Sequence, residues 1–440
     1  MRPFVVSRKS IPSGLITLAG DKSIAHRAVI LSSLCAGTTE LQNFPLHQDS
    51  LATINVFRKL GVSISQHGSK VQVCGKGLSG LLKPKQPVFV NNSGTTLRLA
   101  AGVLAGQDFE STLVAGDTLS KRPMKRVNAP LRLMGAEISA RQEGAEEYAP
   151  LIIKGRKLKG ITYTLPVASA QVKSALLLAG LCADGLTQVI EPLATRDHTE
   201  RMLKLFRVKV KAGENKVSLA GKQKLASPGR IFIPGDISSA AFFIVWAAAI
   251  PGARIRIEKV SLNPTRNRII SLLQEMKADI KVTKSVQNGD NEPMGDILVK
   301  GGKLKGINIE HKDIPLVVDE LPILMVAASL AKGKTILHGV KELRVKETDR
   351  INSMVENLRK MGADIQVEPS GDDEDILIDG SGKLSGASVK SYSDHRTAMS
   401  MIIAGLSASG RTSVDDVSCV KKSFPDFIEK AKNLLEDTNF

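Results

Sequence analysis

Aromatic side chains are scarce in this chain: one Trp, three Tyr and twelve Phe make up 4% of 440 residues. That leaves little to stack on bases, and no dense Arg/Lys tail or nucleic-acid motif compensates, so a nucleic acid is not the expected partner. The four cysteines, Cys35, Cys74, Cys182 and Cys419, lie far apart. Their spacing excludes a paired zinc site and a disulfide framework, suits a reducing cytosol, and leaves them as packing residues. Long apolar runs are also missing. Ala240 to Ile250 is too short to span a bilayer, and Met1 to Ser10 lacks the apolar core of a signal peptide, so a cytoplasmic protein is expected, with no membrane partner. Acidic residues fall short as well, 44 against 61 Lys and Arg, for a net charge of +17. With nucleic acid and membrane set aside, that surplus points to small acidic ligands.

The densest charge stands at Arg344, Val345, Lys346, Glu347, Thr348, Asp349, Arg350, where three cations surround a carboxylate just ahead of a helical pattern. A solvated helix face is the ordinary reading of such a run. Two other polar clusters, Asp21 to Arg27 and Asp394 to Arg396, also directly precede Ala/Leu-rich helical runs, where free backbone N–H groups and the helix dipole favour anions.

One unit recurs six times: a short polar, small-residue segment leads into an Ala/Leu-rich run that ends in glycine. The openings lie at Gly20 to Ser23, Asn91 to Thr95, Ala168 to Gln171, Gly235 to Ser239, Val318 to Glu320 and Ser393 to Arg396. The runs close at Gly37, Gly106, Gly185, Gly252, Gly333 and Gly410, residues suited to a helix end with positive φ. A β-branched stretch, an amphipathic helix and a small turn follow, the last visible as Leu60-Gly61-Val62, Met134-Gly135-Ala136 and Met361-Gly362-Ala363. The unit reads as βαβαββ. The polar stretch Lys211 to Arg230 separates the third and fourth repeats, and a domain boundary falls near Pro228 to Asp236 with three repeats on each side. At 440 residues, two domains are expected. The first helices are almost wholly apolar and should be buried, pointing several helix N-termini at one place; if both domains do so, the cleft between them attracts anions.

These residues carry a resemblance. Gly20-Asp21-Lys22-Ser23-Ile24-Ala25-His26-Arg27, Asn92-Ser93-Gly94-Thr95-Thr96-Leu97-Arg98, Lys121-Arg122-Pro123-Met124, Ala168-Ser169-Ala170-Gln171, Arg344 to Arg350, Asp394-His395-Arg396 and Ser423-Phe424-Pro425 occur in the order seen in the 5-enolpyruvylshikimate-3-phosphate synthases, which the chain resembles along nearly its whole length. The opening Gly-Asp-Lys-Ser and Thr195-Arg196-Asp197-His198 are more like the second, bacterial class. Asn91, where glycine is common, departs from the pattern, Ala170 stands where the first class often has Ser, and Lys422 fits the first class better.

The resemblance implies an α/β fold of the α+β type, the enolpyruvyl transferase fold: two similar domains of three βαβαββ repeats with buried helices. One would comprise 1–19 and 233–440, the other 20–232, with the active site in the cleft between them. It implies transfer of the enolpyruvyl group of phosphoenolpyruvate to the 5-hydroxyl of shikimate 3-phosphate, by a monomer, with no metal and no cofactor. By position, Lys22, Ser23, Arg27, Ser169, Gln171, Arg196, Asp319 and Lys346 match shikimate 3-phosphate contacts. Lys22, Asn92, Gly94, Arg122, Gln171, Arg350, Arg396 and Lys422 match those to phosphoenolpyruvate. Glu347 matches the proton donor, with Lys22 as its partner, and Asp319 the carboxylate facing the attacking hydroxyl. Fixed cations suit two polyanions, and arginine's planar fork fits phosphate and carboxylate alike.

Plainer roles compete with several of these. Ser23 and Ser169 also read as helix caps. Asp319 and Glu320 are adjacent, so either one can be the base and the other a cap. His395 also reads as a structural histidine, and Asp349 as the residue that holds Lys346 or Arg350. The related UDP-N-acetylglucosamine enolpyruvyl transferases share the fold but typically carry a reactive Cys on a mobile loop; Gly116 to Arg126 has none. An RNA-binding protein of similar repeats would use the charge of +17 but leaves Glu347 without a role.

Overall fold

Val88–Phe89, Gly94–Ala105, Glu110–Val114, Lys125–Leu133, Glu137–Glu143 and Glu146–Lys154 are in turn strand, helix, strand, helix and a two-stranded hairpin. They belong to a computed structural model that describes residues 3–8, 10–284 and 292–436. The four strands form one sheet in which the first runs parallel to the second and the hairpin's last strand pairs antiparallel between the second and third. The same βαβαββ order recurs from Thr162–Thr164 and from Asn308–Ile309.

The other three repeats are completed by distant strands. Arg230–Phe232 pairs parallel with Ala36–Gln42 and serves as the opening strand of the first repeat. Ser13–Thr17 does the same for Arg254–Ser261 in the fourth. The sixth has no closing hairpin: after Arg411–Val414 the chain enters the helix Phe427–Glu436, and Phe4–Ser7 pairs antiparallel with Arg411–Val414 in a three-stranded sheet. The first half of the stretch 211–230 is the third repeat's own hairpin, Val210–Gly213 and Lys216–Ala220, and the second half leads to the strand Arg230–Phe232. The described residues of 1–18, 235–286 and 293–440 form one compact unit, called unit A below, and those of 19–234 and 287–292 another, unit B.

Each unit has its own apolar core built around three helices: Ile237–Ala249, Leu321–Leu330 and His395–Ser407 in unit A, Lys22–Leu34, Gly94–Ala105 and Ala170–Gly180 in unit B. An Ala/Leu-rich helix buried on all sides has no polar stripe to keep wet; even Trp246 is 1% exposed. The second helices are one-sided: in Arg350–Lys360, Ile351, Met354, Val355 and Leu358 are buried while the charged residues of the last turn face outward.

The turn after the second helix is a repeated cap. Gly61 N–H donates to Arg58 O and Val62 N–H to Phe57 O, the paired bonds of a Schellman motif, with Gly61 at φ +85°. Gly135 and Gly362 repeat it, and Arg207 and Lys277 do so with side chains at φ 68° and 71°. The glycines read as closing the buried helices behave otherwise. Those helices end at Cys35, Gly106, Leu181, Ile250, Ala331 and Ala408; Gly106 has φ −95°, while Gly37, Gly185, Gly252, Gly333 and Gly410 have positive φ beyond the cap, at the start of the next strand. Among the cysteines, Cys35 and Cys419 are buried as packing residues, Cys182 is half-buried, and Cys74 is exposed on a strand. No helix among the described residues is long and apolar enough to cross a membrane.

Candidate functional site

In unit B the three buried helices begin beside one another. Asp21 caps the first, accepting from Ile24 N–H at 3.0 Å, so Ser23 is not the cap and lies within the first turn. Ser93 and Ser169 cap the other two, accepting from Thr96 and Val172; Ser169 thus does have the capping role. Asn91 sits at φ 53°, a left-handed conformation that asparagine tolerates where glycine is otherwise favoured. Asn92 Oδ1 accepts from Thr118 and Leu119 N–H, both at 3.2 Å, and so pins the turn ahead of Arg122.

Side chains link these starts. Arg98 donates NH1 to Gln171 Oε1 at 2.7 Å, and Gln171 Nε2 donates to Thr95 Oγ1 at 3.0 Å. A Cβ on Gly94 would lie 3.0 Å from Arg98 NH1 and 3.5 Å from Arg122 NH1, so this glycine lets two guanidinium groups approach the helix start. Burial pushes Arg98 down to about 9, and the nearby charges of Arg122 and Arg126 push the same way. Lys22 Nζ meets Asp49 Oδ2 at 3.0 Å. Burial works against the Asp49 carboxylate, but the charge and hydrogen bond of Lys22 outweigh it and hold its pKa below the usual value. Arg27 is 3% exposed: Nε donates to Thr199 Oγ1, NH1 to Ser23 O and NH2 to Ser174 Oγ, at 2.6, 2.8 and 2.7 Å. Arg196 lies close enough for its charge to lower the Arg27 pKa, though burial is the larger cause and brings it to about 10.

In unit A the centre is Arg350, 1% exposed. Its Nε donates to Asp394 Oδ2 at 2.8 Å, its NH2 to Glu347 Oε2 at 2.5 Å, and NH1 stands 3.7 Å from Asp319 Oδ1. Burial opposes the cation, but Asp394, Glu347 and Asp319 together hold its pKa above the ordinary arginine value. Asp394 also caps His395–Ser407, accepting from Arg396 N–H at 2.7 Å. Asp319 gathers a second and third guanidinium: Arg396 NH2 at 3.5 Å, with Arg396 NH1 donating to the Asp319 carbonyl at 2.7 Å, and Arg266 NH1 at 3.6 Å. Glu320 makes no side-chain cap bond to its helix; it is buried with the Ser238 hydroxyl and Arg266. Of the two adjacent acids, Asp319 is therefore the one set among arginines at the more open position. Burial and Arg396 push His395 down to about 4.

Two lysines stand apart. Lys346 Nζ turns to Glu342 at 2.7 Å, and Lys422 is exposed at the end of the short 3-10 helix Ser418–Lys422, in the field of Asp416. Asp349 holds neither Lys346 nor Arg350: one carboxylate oxygen caps Arg350–Lys360 through Asn352 N–H and the other pairs with Arg344 at 2.7 Å. Sequence reasoning missed Asp49, Arg98 and Arg266 as site neighbours. Arg98 stood within a motif already singled out; nothing local marks Arg266, which reaches Asp319 across 53 residues, 319 − 266. Among the described residues no cluster of His, Cys, Asp and Glu could hold a metal ion.

A family model described as EPSP synthase (3-phosphoshikimate 1-carboxyvinyltransferase) matches residues 8–431. The 3-phosphoshikimate 1-carboxyvinyltransferase of Bacillus cytotoxicus is 46% identical over 429 residues, covering 98% of this chain and 99% of that protein. That of Thermoanaerobacter pseudethanolicus is 46% identical over 422 residues, 96% of this chain and 97% of its own. A solved EPSP synthase from Acinetobacter baumannii superposes with a TM-score of 0.89 at 44% identity, over 99% of this chain and 98% of that one.

Proposed function

This chain belongs to the EPSP synthase family, and on that premise we infer that it transfers the enolpyruvyl group of phosphoenolpyruvate to the 5-hydroxyl of shikimate 3-phosphate, releasing phosphate, on the route to the aromatic amino acids. The observation that carries this reading is the family match across residues 8–431.

The reaction must protonate the methylene carbon of phosphoenolpyruvate while the 5-hydroxyl oxygen, losing its proton, bonds to the adjacent carbon. The tetrahedral adduct then loses a methyl proton and phosphate, restoring the double bond. An acid and a base are needed. Glu347 supplies the proton, with Lys22 as its partner, and Asp319 receives the one from the hydroxyl. Arg122, Arg350, Arg396 and Lys422, with Asn92, Gly94, Gln171 and Lys22, take phosphoenolpyruvate. Ser23, Arg27, Ser169, Gln171, Arg196 and Lys346 take shikimate 3-phosphate together with Lys22 and Asp319. Each charge-assisted contact contributes about 1.5–3 kcal/mol. The assigned residues come from both units, so the reading requires both to act on one substrate pair. The proton donor sits beside Arg350 at 2.5 Å, and an arriving anion competes with Glu347 for that guanidinium, releasing the carboxyl for its task.

The enzyme acts as a cytoplasmic monomer in this reading, which sedimentation of the purified chain tests. The reaction itself is tested by phosphate release from phosphoenolpyruvate with shikimate 3-phosphate and, separately, with UDP-N-acetylglucosamine as acceptor. Release with the first alone is expected; release with the second alone refutes the assignment.

A further inference from the structure

Lys173 lies in the helix Ala170–Gly180 and is 1% exposed, yet it carries a charge. Its Nζ is 2.8 Å from Glu191 Oε2 and 2.7 Å from Glu200 Oε1, both carboxylates also buried. Glu191 directly follows the strand Leu186–Ile190, and Glu200 is in the first turn of His198–Leu205. The segment between them, 192–199, bears Arg196. Glu191 also accepts from the hydroxyl of Thr195, the residue just before Arg196. At the far end, Thr199 Oγ1 is 2.7 Å from Ser174 Oγ, beside Lys173, and Ser174 donates on to Ala170 O at 2.6 Å.

We propose that Lys173 is a positioning residue for the shikimate 3-phosphate subsite: by holding Glu191 and Glu200 it ties both ends of the segment bearing Arg196 to the helix whose start carries Ser169 and Gln171. The proposal rests on the reading above that Arg196 takes this substrate.

At 1% exposure Lys173 does not touch ligand. Stability alone is a poor explanation for it. Burying ions costs several kcal/mol each, and a well-packed apolar trio of similar volume often serves stability as well or better. What an apolar trio does not supply is direction: an ammonium shared by two carboxylates fixes where each element stops and starts, and Glu191 passes that to Thr195. The charges also balance. Arg27, buried nearby, has Glu200 as its strongest carboxylate partner, giving two cations to two anions. The Lys173 ammonium stays above its ordinary pKa despite burial because Glu200 and Glu191 outweigh it, while for Glu200 burial prevails and raises the carboxyl.

The test compares the full-length parent with Thr195→Val, Glu200→Gln and the charge-free triple variant Lys173→Met/Glu191→Gln/Glu200→Gln, measuring kcat and a separate KM for each substrate. The KM for shikimate 3-phosphate should rise in all three, by about ten- to a hundredfold in the triple variant, the scale expected when a binding group is misplaced. The KM for phosphoenolpyruvate and kcat should stay near parental values. In an Arg196→Met background the same changes should add little, since Lys173 acts through Arg196. Folded variants with the parental KM, or losses that multiply fully with Arg196→Met, overturn the proposal. If the triple variant does not fold, Thr195→Val decides, because that hydroxyl is only half-buried. A parent that turns over phosphoenolpyruvate only with another acceptor overturns the assigned reaction and this inference together; an active parent with unaffected variants overturns this inference alone.

Discussion

Arg344 places NH1 2.7 Å from Oδ2 of Asp349, the carboxylate that caps Arg350–Lys360, while its Nε and NH2 fork onto Glu374 at 2.7 and 2.9 Å. The four residues between Arg344 and Asp349, Lys346 and Glu347 among them, therefore form a loop fastened at both ends by one guanidinium. A carboxyl on such a loop has a defined position even though its side chain is 41% exposed.

Glu347→Gln keeps the size of that side chain and removes its transferable proton. Turnover should fall by about 10²–10⁴-fold, the usual contribution of general acid–base catalysis, while both substrates still bind. Asp319→Asn should behave alike for the opposite proton. Single-turnover rates with separately measured affinities decide; a folded Glu347→Gln enzyme within a few-fold of the parent removes Glu347 from the mechanism.

Gly94→Ala puts a methyl group 3.0 Å from Arg98 NH1 and 3.5 Å from Arg122 NH1. Arg98 NH1 is the far end of a flexible side chain and must give by a few tenths of an ångström, so the fold should survive, while the methyl group stands in ordinary contact with Arg122 and narrows the space beside it. The KM for phosphoenolpyruvate should rise by roughly tenfold, about 1.4 kcal/mol of lost binding, with the unfolding midpoint nearly unchanged. A parental KM would show that Gly94 does not shape the anion site.

Lys277 occupies the left-handed position of a helix cap at φ 71°, where the same turn elsewhere uses Gly61, Gly135 and Gly362. Lys277→Gly should relieve that strain and stabilise the protein by about 0.5–1 kcal/mol, net of the extra freedom glycine gives the unfolded chain. Urea unfolding with an unchanged slope and a higher midpoint is the expected result; a lower midpoint refutes it.

His26 is fully buried against Thr53, and burial lowers its pKa from 6.5 to about 3. The unfolded chain therefore takes up a proton below pH 6.5 that the folded chain refuses. Its stabilising contribution is fully present above pH 6.5 and is lost as pH falls toward 3, at about 1.4 kcal/mol per pH unit through most of that window. Stability measured by urea unfolding between pH 7 and 4.5 should fall less steeply in His26→Gln than in the parent; equal slopes would contradict the assignment.

What the sequence determined by itself was whatever is written in short stretches. The six Ala/Leu-rich runs had to be buried, since nothing in them faces water, and three of the capped turns of the second helices follow from a glycine placed after an amphipathic run. The ordered motifs from Lys22 to Phe424 identify the family because each concerns a few neighbouring residues. Tertiary structure decided what depends on partners far along the chain. Ser13–Thr17 and Arg230–Phe232 complete sheets more than 180 residues away, and strand pairing leaves no local mark because its hydrogen bonds are identical for every sequence. Which acid meets which cation was equally hidden: Asp349 chose Arg344 over the nearer Lys346, Asp21 took the cap from Ser23, and Arg266 came to Asp319 by packing alone. Long charged side chains reach several candidates at once, and only the surrounding fold fixes which one they meet.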